Sequence, residues 1–502
     1  MNGRKTKAAQ LAVFGFVTFL VISAVFSAPA GAQAWPAFFD PNQLLTLNLQ
    51  MDPADWDTVQ NDLTFDIAKP AWFWLDGEDS ILVGVRRKSC DALGGSPHFL
   101  KVSLKIDINE YVPAQIWHSL KKLSLENGDD VDVVSEGFSW YLHELATYPD
   151  GYGYTHSAGN ASWVKLYING YYTGVYINTE QRDKQFMRNR LLYISGETWL
   201  YKNVSDNVTR LEFGFGNSPT YQALCYQPFA DTATCPTPDF IELSLELPEL
   251  INMQAMLTMA AVNMFAQNDD GLFMNGRNSY FIDFLSSSWL RMYFPWDLDA
   301  SINSGVTEIY PSGSEYSDTL LAAPMFRNQY TEIMLNLLSG PFAEANLIAF
   351  LNATEALLTE ALEADPNNQM VSVPGRFDEL RSWVPVRRAQ AYSQLDDLTG
   401  VMPSPDVERI SFYYPSPNPS RTTTRMGWAM PSEAPVRLQV FDVTGRLVAT
   451  LVDERRMIRG EHGVIWNGLN RYGHRVPAGV YFARIEAGPW SSVRKIVRLR
   501  HH

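Results

Sequence analysis

The N-terminal part of the chain carries the alternating pattern of β-strands. Apolar and polar residues alternate in three stretches, at 80–88, 99–108 and 162–181. This period of two predicts strands, because successive side chains of a strand point to opposite faces. In the third stretch, Asn169 and Gly170 separate two alternating runs. Asn-Gly in that position predicts a β-hairpin with a two-residue turn.

Helical patterns follow or interrupt these strands. The stretch 38–62 predicts a strand followed by a short capped helix at 55–60, and further helices are predicted at 133–146 and 183–190. A short strand, TWLYKN, begins at Thr198. Residues 203–236 are rich in Gly, Asn, Pro and Thr, which predicts a long insertion around Cys225 and Cys235.

The second half of the chain is first mainly helical and then β-rich. Helical periodicity is found at 240–267 and 325–397, and between them the stretch 279–299, SYFIDFLSSSWLRMYFPWDLD, predicts two strands joined by a polar turn. After residue 400 a Pro- and Ser-rich segment precedes short alternating strands. Their turn signals, Thr444-Gly445, Asn467-Gly468 and Ala478-Gly479, have the spacing of an all-β sandwich.

These patterns predict an α+β protein in four segments. Residues 1–34 have a basic start, an apolar stretch and small residues ending at Ala34, which is typical of a cleaved export signal; the alternative is an uncleaved anchor. A large domain is predicted at 35–398, a Pro/Ser-rich linker at 399–412 and the β-sandwich at 413–502. With no later apolar stretch long enough to span a bilayer, we expect a secreted or cell-surface protein.

The net charge argues against one class of function, and the cysteines allow one small disulfide loop. The 502 residues carry a formal net charge of −15, which argues against sequence-independent nucleic-acid binding, because phosphate neutralisation needs a basic surface. Of the three cysteines, Cys225 and Cys235 could close a small loop in an oxidising compartment and leave Cys90 single.

Several polar residues of the types that phosphoryl transfer uses occur in a kinase-like order along the chain. That reaction needs a cation at the nucleotide phosphates, an acid near the attacking hydroxyl, and acids or amides that hold Mg²⁺. Lys202 ends the apolar strand WLYK, Asp270 follows a predicted helix, and Asn275 and Asn278 lie in the same loop. Asp297 stands at the exit of the two-strand unit. Asp and Asn are common in loops, so the order alone is weak evidence.

Four motifs, in this order, resemble the CotH (spore-coat-protein-H-like) kinase family: YINGYYTGVYINTEQRDKQF, LYKN, NDDGLFMNGRNSYFI and FPWDLD. The resemblance covers roughly residues 37–395. It implies an atypical, two-lobed protein-kinase-like domain that uses ATP with Mg²⁺ or Mn²⁺ to phosphorylate Ser residues of a protein substrate.

The resemblance also implies roles for individual residues. Lys202 would bind the ATP phosphates, with Glu180 as a candidate partner. Asp270 would be the catalytic acid that orients or deprotonates the acceptor hydroxyl. Asp297 would hold Mg²⁺, with Asn278 as a second ligand and Asn275 as its alternative.

Each role has a competing interpretation. Lys202 is also explained as a solvated strand-end lysine, and Glu180 as a surface acid at the end of a hairpin. Asp269 competes with Asp270, because it occupies a position where the family usually has an aromatic residue. Asp299 is either another metal ligand or a helix cap. Trp296 is expected to be a packing residue.

The C-terminal region resembles FlgD-type immunoglobulin-like domains and the sorting domains of secreted bacterial proteins. The matching segments are YPSPNPS, VRLQVFDVTGRLVATL and GVIWNGLNRYGHRVPAGVYFARI. A scaffold or anchoring role follows from this resemblance. Two functions are therefore weighed: an exported CotH-like kinase that acts on a Ser of a surface, envelope or secretion protein, and a non-catalytic structural or adhesive surface protein with the same fold.

Overall fold

A computed structural model describes residues 35, 37–88, 101–128, 132–149, 155, 156, 158–205, 208–224, 247–285, 289–302, 305–368, 370–395, 410–412, 415, 418–421, 423–457 and 460–500. The predicted signal peptide, Cys90, Cys225 and Cys235 lie outside these residues. A 3₁₀ turn at Ala37–Phe39 precedes the first strand.

Residues before 300 form strands β1 to β13. Their bounds are β1 (Leu45–Gln50), β2 (Lys69–Leu75), β3 (Ile81–Arg87), β4 (Leu104–Asp107), β5 (Lys122–Glu126), β6 (Tyr148–Pro149), β7 (Thr155–His156), β8 (Ala161–Ile168), β9 (Tyr171–Glu180), β10 (Thr198–Ser205), β11 (Val208–Phe213), β12 (Ser279–Phe284) and β13 (Met292–Pro295). The helices are α1 (Pro53–Asn61), α2 (Val133–Ala146), α3 (Lys184–Asn189), α4 (Pro219–Ala223), α5 (Met253–Phe265), α6 (Leu272–Asn275), α7 (Glu315–Leu321), α8 (Pro324–Ser339), α9 (Glu344–Glu363) and α10 (Val373–Gln394).

Seven strands close into a barrel in the order β1-β2-β3-β4-β5-β9-β8. Every second side chain of a strand points into the barrel. Leu47, Phe73 and Val85 are therefore fully buried in the barrel core. The parallel pairing of β1 with β8 closes the barrel. The predicted hairpin is confirmed: β8 and β9 pair antiparallel around Asn169 and Gly170, both with positive φ.

A second sheet has the order β11-β10-β12-β13, and helices cover it. One face packs with α2, α5 and the later helices in the largest apolar cluster, and the other face packs against α3. The predicted two-strand unit is confirmed as the β12–β13 hairpin. Within the predicted insertion at 203–236, β11 pairs with β10 and α4 follows it, and residues 225–236 lie outside the described residues.

One buried polar contact joins the barrel to the helical part, and a part-buried contact joins two of the helices. The Lys101 ammonium lies 3.0 Å from the Asp365 carboxylate, which also accepts a hydrogen bond from the Val175 amide at 2.9 Å. Arg376 at the start of α10 donates to Asp132, the N-cap of α2, at 2.8 Å. No single helix of the described ranges is long and apolar enough to cross a membrane, and α8 and α9 meet the length and composition requirement only as a pair bent by 60°.

The C-terminal strands form two sheets around one core. Their bounds are β14 (Ser411–Phe412), β15 (Thr424–Met430), β16 (Ala434–Asp442), β17 (Leu447–Met457), β18 (Gly460–Trp466), β19 (Gly479–Ala487) and β20 (Trp490–Arg498). The sheet orders are β14-β15-β18 and β17-β16-β19-β20. Trp428 and Trp466 from the first sheet pack with Val440 and Ile485 from the second. The mixed α+β class is confirmed, and β14 lies within the predicted linker.

Candidate active site

The Asp270 carboxylate is surrounded by three side chains of its own loop, which leads from α5 into β12. Asn275 Nδ2 donates to its Oδ1 at 3.0 Å, and Asn278 Nδ2 donates to its Oδ2 at 2.7 Å. Arg277 Nε also donates to Oδ1, at 2.5 Å. The structure therefore brings both candidate asparagines onto the predicted catalytic acid and adds a cation that the sequence did not single out.

Asn278 and Asp297 lie at one end of the β12–β13 hairpin. The Trp296 amide donates to the Asn278 carbonyl at 3.0 Å, which continues the pairing beyond Ser279 and Pro295. Asn278 has φ 53° and Asp297 has φ 56°. Left-handed backbone is uncommon outside glycine and is found often at functional sites. The hairpin thus places the Asp270 loop beside Asp297.

Lys88, directly after β3, reaches from the barrel to this end of the hairpin. Its ammonium lies 2.5 Å from Glu126 Oε1, 4.0 Å from Asp297 Oδ1 and 4.8 Å from the centre of the Trp296 ring. Burial alone would lower the pKa of Lys88, but the charges of Glu126 and Asp297 outweigh it and raise the pKa. The Lys88 ammonium therefore connects the barrel to Asp297.

Glu136 of α2 adds a buried acid to the same group. Its side chain is 2% exposed; Oε1 accepts from Trp140 Nε1 at 3.3 Å, while Oε2 has no hydrogen-bond partner among the described residues. Burial, followed by the charges of Glu126, Asp299 and Asp297, raises the pKa of Glu136 well above its usual value, and Lys88 opposes this. Glu136 is thus a buried acid whose charged form is stabilised by a nearby cation.

The raised pKa of Glu136 predicts a pH-dependent stability. Below its usual pKa the side chain is neutral whether the chain is folded or unfolded. As the pH rises from that value towards the raised one, the unfolded chain loses its proton first, so stability falls. Glu136→Gln should therefore be more stable than the wild type at pH 8, by at least about 1 kcal/mol, and nearly equal at pH 4. Denaturant unfolding of both at the two pH values measures this.

The matched control is Glu360→Gln on the exposed side of α9, which should show no such difference. Equal stabilities of Glu136→Gln and wild type at both pH values would contradict a buried, uncharged Glu136.

The sequence profile described as CotH kinase protein matches residues 94–389. The chain belongs to this family. The matched region contains the Asp270 loop, Asn278 and Asp297, whereas Lys88 precedes it. No curated protein matches the chain significantly.

Short segments of solved structures are also similar. Dimeric latent PorU from Porphyromonas gingivalis is 20% identical over 19% of this chain and 10% of its own, with a TM-score of 0.17. FlgD from P. aeruginosa is 18% identical over 15% of this chain and 60% of its own, with a TM-score of 0.13. This chain thus spans about a tenth of PorU and less than two thirds of FlgD.

Lys202 of this CotH-family chain lies on β10, with Arg210 and Tyr280 as its cross-strand neighbours. Its ammonium is 5.8 Å from the centre of the Tyr280 ring. Burial lowers the pKa of Lys202, Asp297 opposes this, and Lys88 adds to it. Lys202 is therefore in the electrostatic environment of Asp297, but the ammonium that approaches the Asp297 carboxylate to 4.0 Å is that of Lys88.

The expected pairing of Glu180 with Lys202 is wrong. Arg190 holds the Glu180 carboxylate with two hydrogen bonds, of 2.8 and 2.7 Å, and Trp35 Nε1 and Asn160 Nδ2 donate to it at 2.9 and 3.0 Å. Glu180 is 1% exposed, so it is neither the surface acid nor the lysine partner that the sequence predicted. These contacts fix the end of β9.

The structure also locates Asp299 and Asp269, the two acids whose roles the sequence left open. Asp299 lies in a turn two residues after Asp297, and its charge contributes to the raised pKa of Glu136. Burial, followed by the charge of Asp270, raises the pKa of Asp269. Of the two neighbours, Asp270 is the one whose carboxylate Asn275 and Asn278 contact. Trp296 is 3% exposed and packs edge-to-face on Tyr280, as expected of a packing residue.

Arg182, just after β9, fixes the backbone that leads to Asp297. Its Nη2 donates to the carbonyls of Ala158 and Pro295 at 2.9 and 3.0 Å. The guanidinium also lies 5.1 Å from the centre of the Trp296 ring. Burial lowers the pKa of Arg182 to about 9, so the side chain is still charged at neutral pH. This residue links the barrel to the end of β13.

Gly159 leaves the space that Arg182 occupies. A Cβ at this position would lie 1.9 Å from Arg182 Nη2, and the φ of 141° disfavours a side chain. Gly159→Ala should therefore lower the free energy of unfolding by about 1–3 kcal/mol. Gly170→Ala is the control: it has positive φ but no atom within 4 Å of the added Cβ. An equal loss in both variants, measured by denaturant unfolding, would mean that Arg182 moves without cost.

The donors at this end of the hairpin fit a hard divalent cation. Asp297 offers a carboxylate, and Asn278 offers its amide oxygen because its Nδ2 serves Asp270. Within the described ranges, no group of three or more His, Cys, Asp and Glu side chains is arranged as a metal site. Magnesium in phosphoryl-transfer enzymes is commonly held by one or two carboxylates together with substrate phosphates, so a sparse donor set is compatible with it.

Sequence reasoning missed Lys88, Glu126, Glu136 and Arg277. One signal was visible for Glu136: an acid among the apolar residues at the start of a predicted helix, VVSEGF. Lys88 had no such signal, because lysines at strand ends are usually solvated.

Proposed function

We propose that this CotH-family protein is an exported kinase that transfers the γ-phosphoryl group of ATP to a Ser hydroxyl of a surface, envelope or secretion protein. The observation that supports this best is the convergence of three separate segments at one end of the β12–β13 hairpin. The Asp270 loop, Asp297 and Lys88 supply an acid, a metal-type carboxylate and a cation, which are the parts that phosphoryl transfer needs.

In the proposed reaction the Ser oxygen attacks the γ-phosphorus, the bond to the β–γ bridging oxygen breaks, and ADP leaves. The Ser proton passes to the Asp270 carboxylate, which Asn275 and Asn278 hold in place. We assign phosphate binding to Lys88, with Lys202 as a second cation under the influence of the Asp297 charge. Mg²⁺ or Mn²⁺ held by Asp297 and Asn278, with Asp299 nearby, would neutralise charge on the β- and γ-phosphates.

The remaining segments are proposed from the sequence. Residues 1–34 are a cleaved signal peptide, which makes the protein secreted or attached to the cell surface. The two-sheet C-terminal part is an immunoglobulin-like domain of the FlgD or sorting type that anchors the kinase. The boundaries at 398 and 412 stay predictions.

Label transfer from ATP tests this function. Purified mature protein is incubated with Mg²⁺ or Mn²⁺ and γ-labelled ATP, alone and with a Ser-rich acceptor, beside Asp270→Ala and the surface control Asp453→Ala. We expect phosphoserine with wild type and control, and none with Asp270→Ala. A wild type that binds no ATP would contradict the kinase and favour the non-catalytic surface protein.

A further inference from the structure

A row of cationic side chains crosses the outer face of the barrel beside Lys88. Leu104 and Ile106 are fully buried in the barrel core, so Lys105 between them points outward. Its cross-strand neighbours are Arg86 on β3 and Ser124 on β5. Lys88 follows two residues after Arg86 on the same face. Lys105 and Lys88 are therefore diagonal neighbours on adjacent strands.

Lys105 differs from the other cations of this row in its contacts. Lys88 is paired with Glu126 at 2.5 Å, and Lys122 with Asp107 at 3.2 Å. Arg86 donates to the Phe65 carbonyl at 2.7 Å. For Lys105, which is half-buried, the described part of the chain provides neither a hydrogen bond nor an ion pair to the ammonium.

The charged groups around Lys105 act on its pKa. Burial, followed by the charges of Lys122, Arg86 and Lys88, lowers the pKa of Lys105 to about 7, and the charge of Asp183 opposes them. The Asp183 carboxylate already caps α3, where it accepts from the amides of Gln185 and Phe186 at 2.7 and 2.9 Å. The lysine thus lies in a surplus of positive charge.

We propose that Lys105 binds a phosphate group of the nucleotide beside Lys88, and this rests on the proposed kinase function. A polyphosphate over this face would supply the anion that Lys105 lacks and would neutralise the surplus charge of the row. The face is the one from which Lys88 reaches Asp297. Lys105 is therefore a second phosphate contact contributed by the barrel.

Such a contact makes nucleotide binding depend on pH in a defined direction. The bound phosphate raises the pKa of Lys105, so the complex holds a proton that the free protein has partly lost near pH 7. Binding then takes up a proton, and affinity falls as the pH rises above about 7.

Calorimetric titration of the full mature chain with Mg²⁺ and a non-hydrolysable ATP analogue tests this. It is run at pH 6.5 and 8.5, in buffers of different ionisation enthalpy. Lys105→Met should weaken binding roughly ten- to a hundred-fold at pH 6.5 and abolish the additional proton uptake. Lys105→Arg should keep the affinity and lose its pH dependence. Lys69→Met, at a barrel lysine paired with Asp55, is the control and should match the wild type.

The outcomes separate the two proposals. If the wild type binds the analogue and Lys105→Met binds it equally well with the same proton uptake, the role of Lys105 is wrong and the kinase function stands. If Lys105→Arg is as weak as Lys105→Met, the role of Lys105 is structural and the phosphate contact is wrong. If the wild type binds no nucleotide, both proposals fail.

Discussion

Asp297→Asn should lower the rate of phosphoryl transfer by at least about 10²–10³-fold while leaving the fold unchanged. The expectation follows from the proposed function, in which the Asp297 carboxylate holds the metal at the phosphates. Asparagine is the informative replacement because it tolerates left-handed backbone, and Asp297 has φ 56°. It removes the charge and keeps the shape of the side chain. Initial rates with Mg²⁺ and with Mn²⁺, together with thermal unfolding, measure both effects.

Asp299→Asn is the matched control two residues away. We expect it to lose less than about tenfold in rate, because Asp297, and not Asp299, directly follows the Trp296 that pairs with Asn278. A larger loss in Asp299→Asn than in Asp297→Asn would exchange the roles of the two acids. An unchanged rate in Asp297→Asn would contradict the proposed metal site.

Asp283→Ala should destabilise the chain by about 3–5 kcal/mol. Asp283 on β12 and Arg291, just before β13, form an ion pair with two contacts, of 2.7 and 2.9 Å, and both side chains are 0% exposed. Burial alone would lower the pKa of Arg291, but the Asp283 charge outweighs it and raises the pKa. Removal of the acid would leave a buried guanidinium without its counter-charge. Urea unfolding, followed by two probes, measures the loss.

Two further variants test whether the unpaired buried charge causes this loss of stability. Asp453→Ala breaks an ion pair whose side chains are 51% and 59% exposed, and it should cost less than about 1 kcal/mol. The double variant Asp283→Leu/Arg291→Met should be more stable than Asp283→Ala, because it removes both buried charges. A double variant as unstable as the single one would show that packing, and not the unpaired charge, causes the loss.

Local patterns were sufficient for the elements that carry the site. The hairpin at Asn169-Gly170, the helix at 133–146 and the β12–β13 unit were each predicted from a run of consecutive residues. Their signals are strong because turn chemistry and periodicity act within a few residues. The Asp270 loop and Asp297 were assigned from the family resemblance, whose motifs flank this hairpin.

Contacts between distant segments were beyond sequence reasoning. The closure of the barrel depends on the pairing of β1 with β8, which no local pattern specifies. Lys88 becomes important only because this closed barrel places the end of β3 against Asp297. Glu180 was misassigned for a different reason: α3 brings Arg190, ten residues further along the chain, back onto its carboxylate. β11 was missed because its short sequence, VTRLEF, lies in a polar region.

The proposed kinase function depends most on the placement of Lys88, the Asp270 loop and Asp297 around one bound nucleotide. A crystal structure of the mature chain with Mg²⁺ and a non-hydrolysable ATP analogue tests this directly. We predict that the γ-phosphate lies between Lys88 and Asp297, with Mg²⁺ on the Asp297 carboxylate and the Asp270 carboxylate beside the γ-phosphate. A nucleotide bound elsewhere on the chain, away from Asp297, would contradict it.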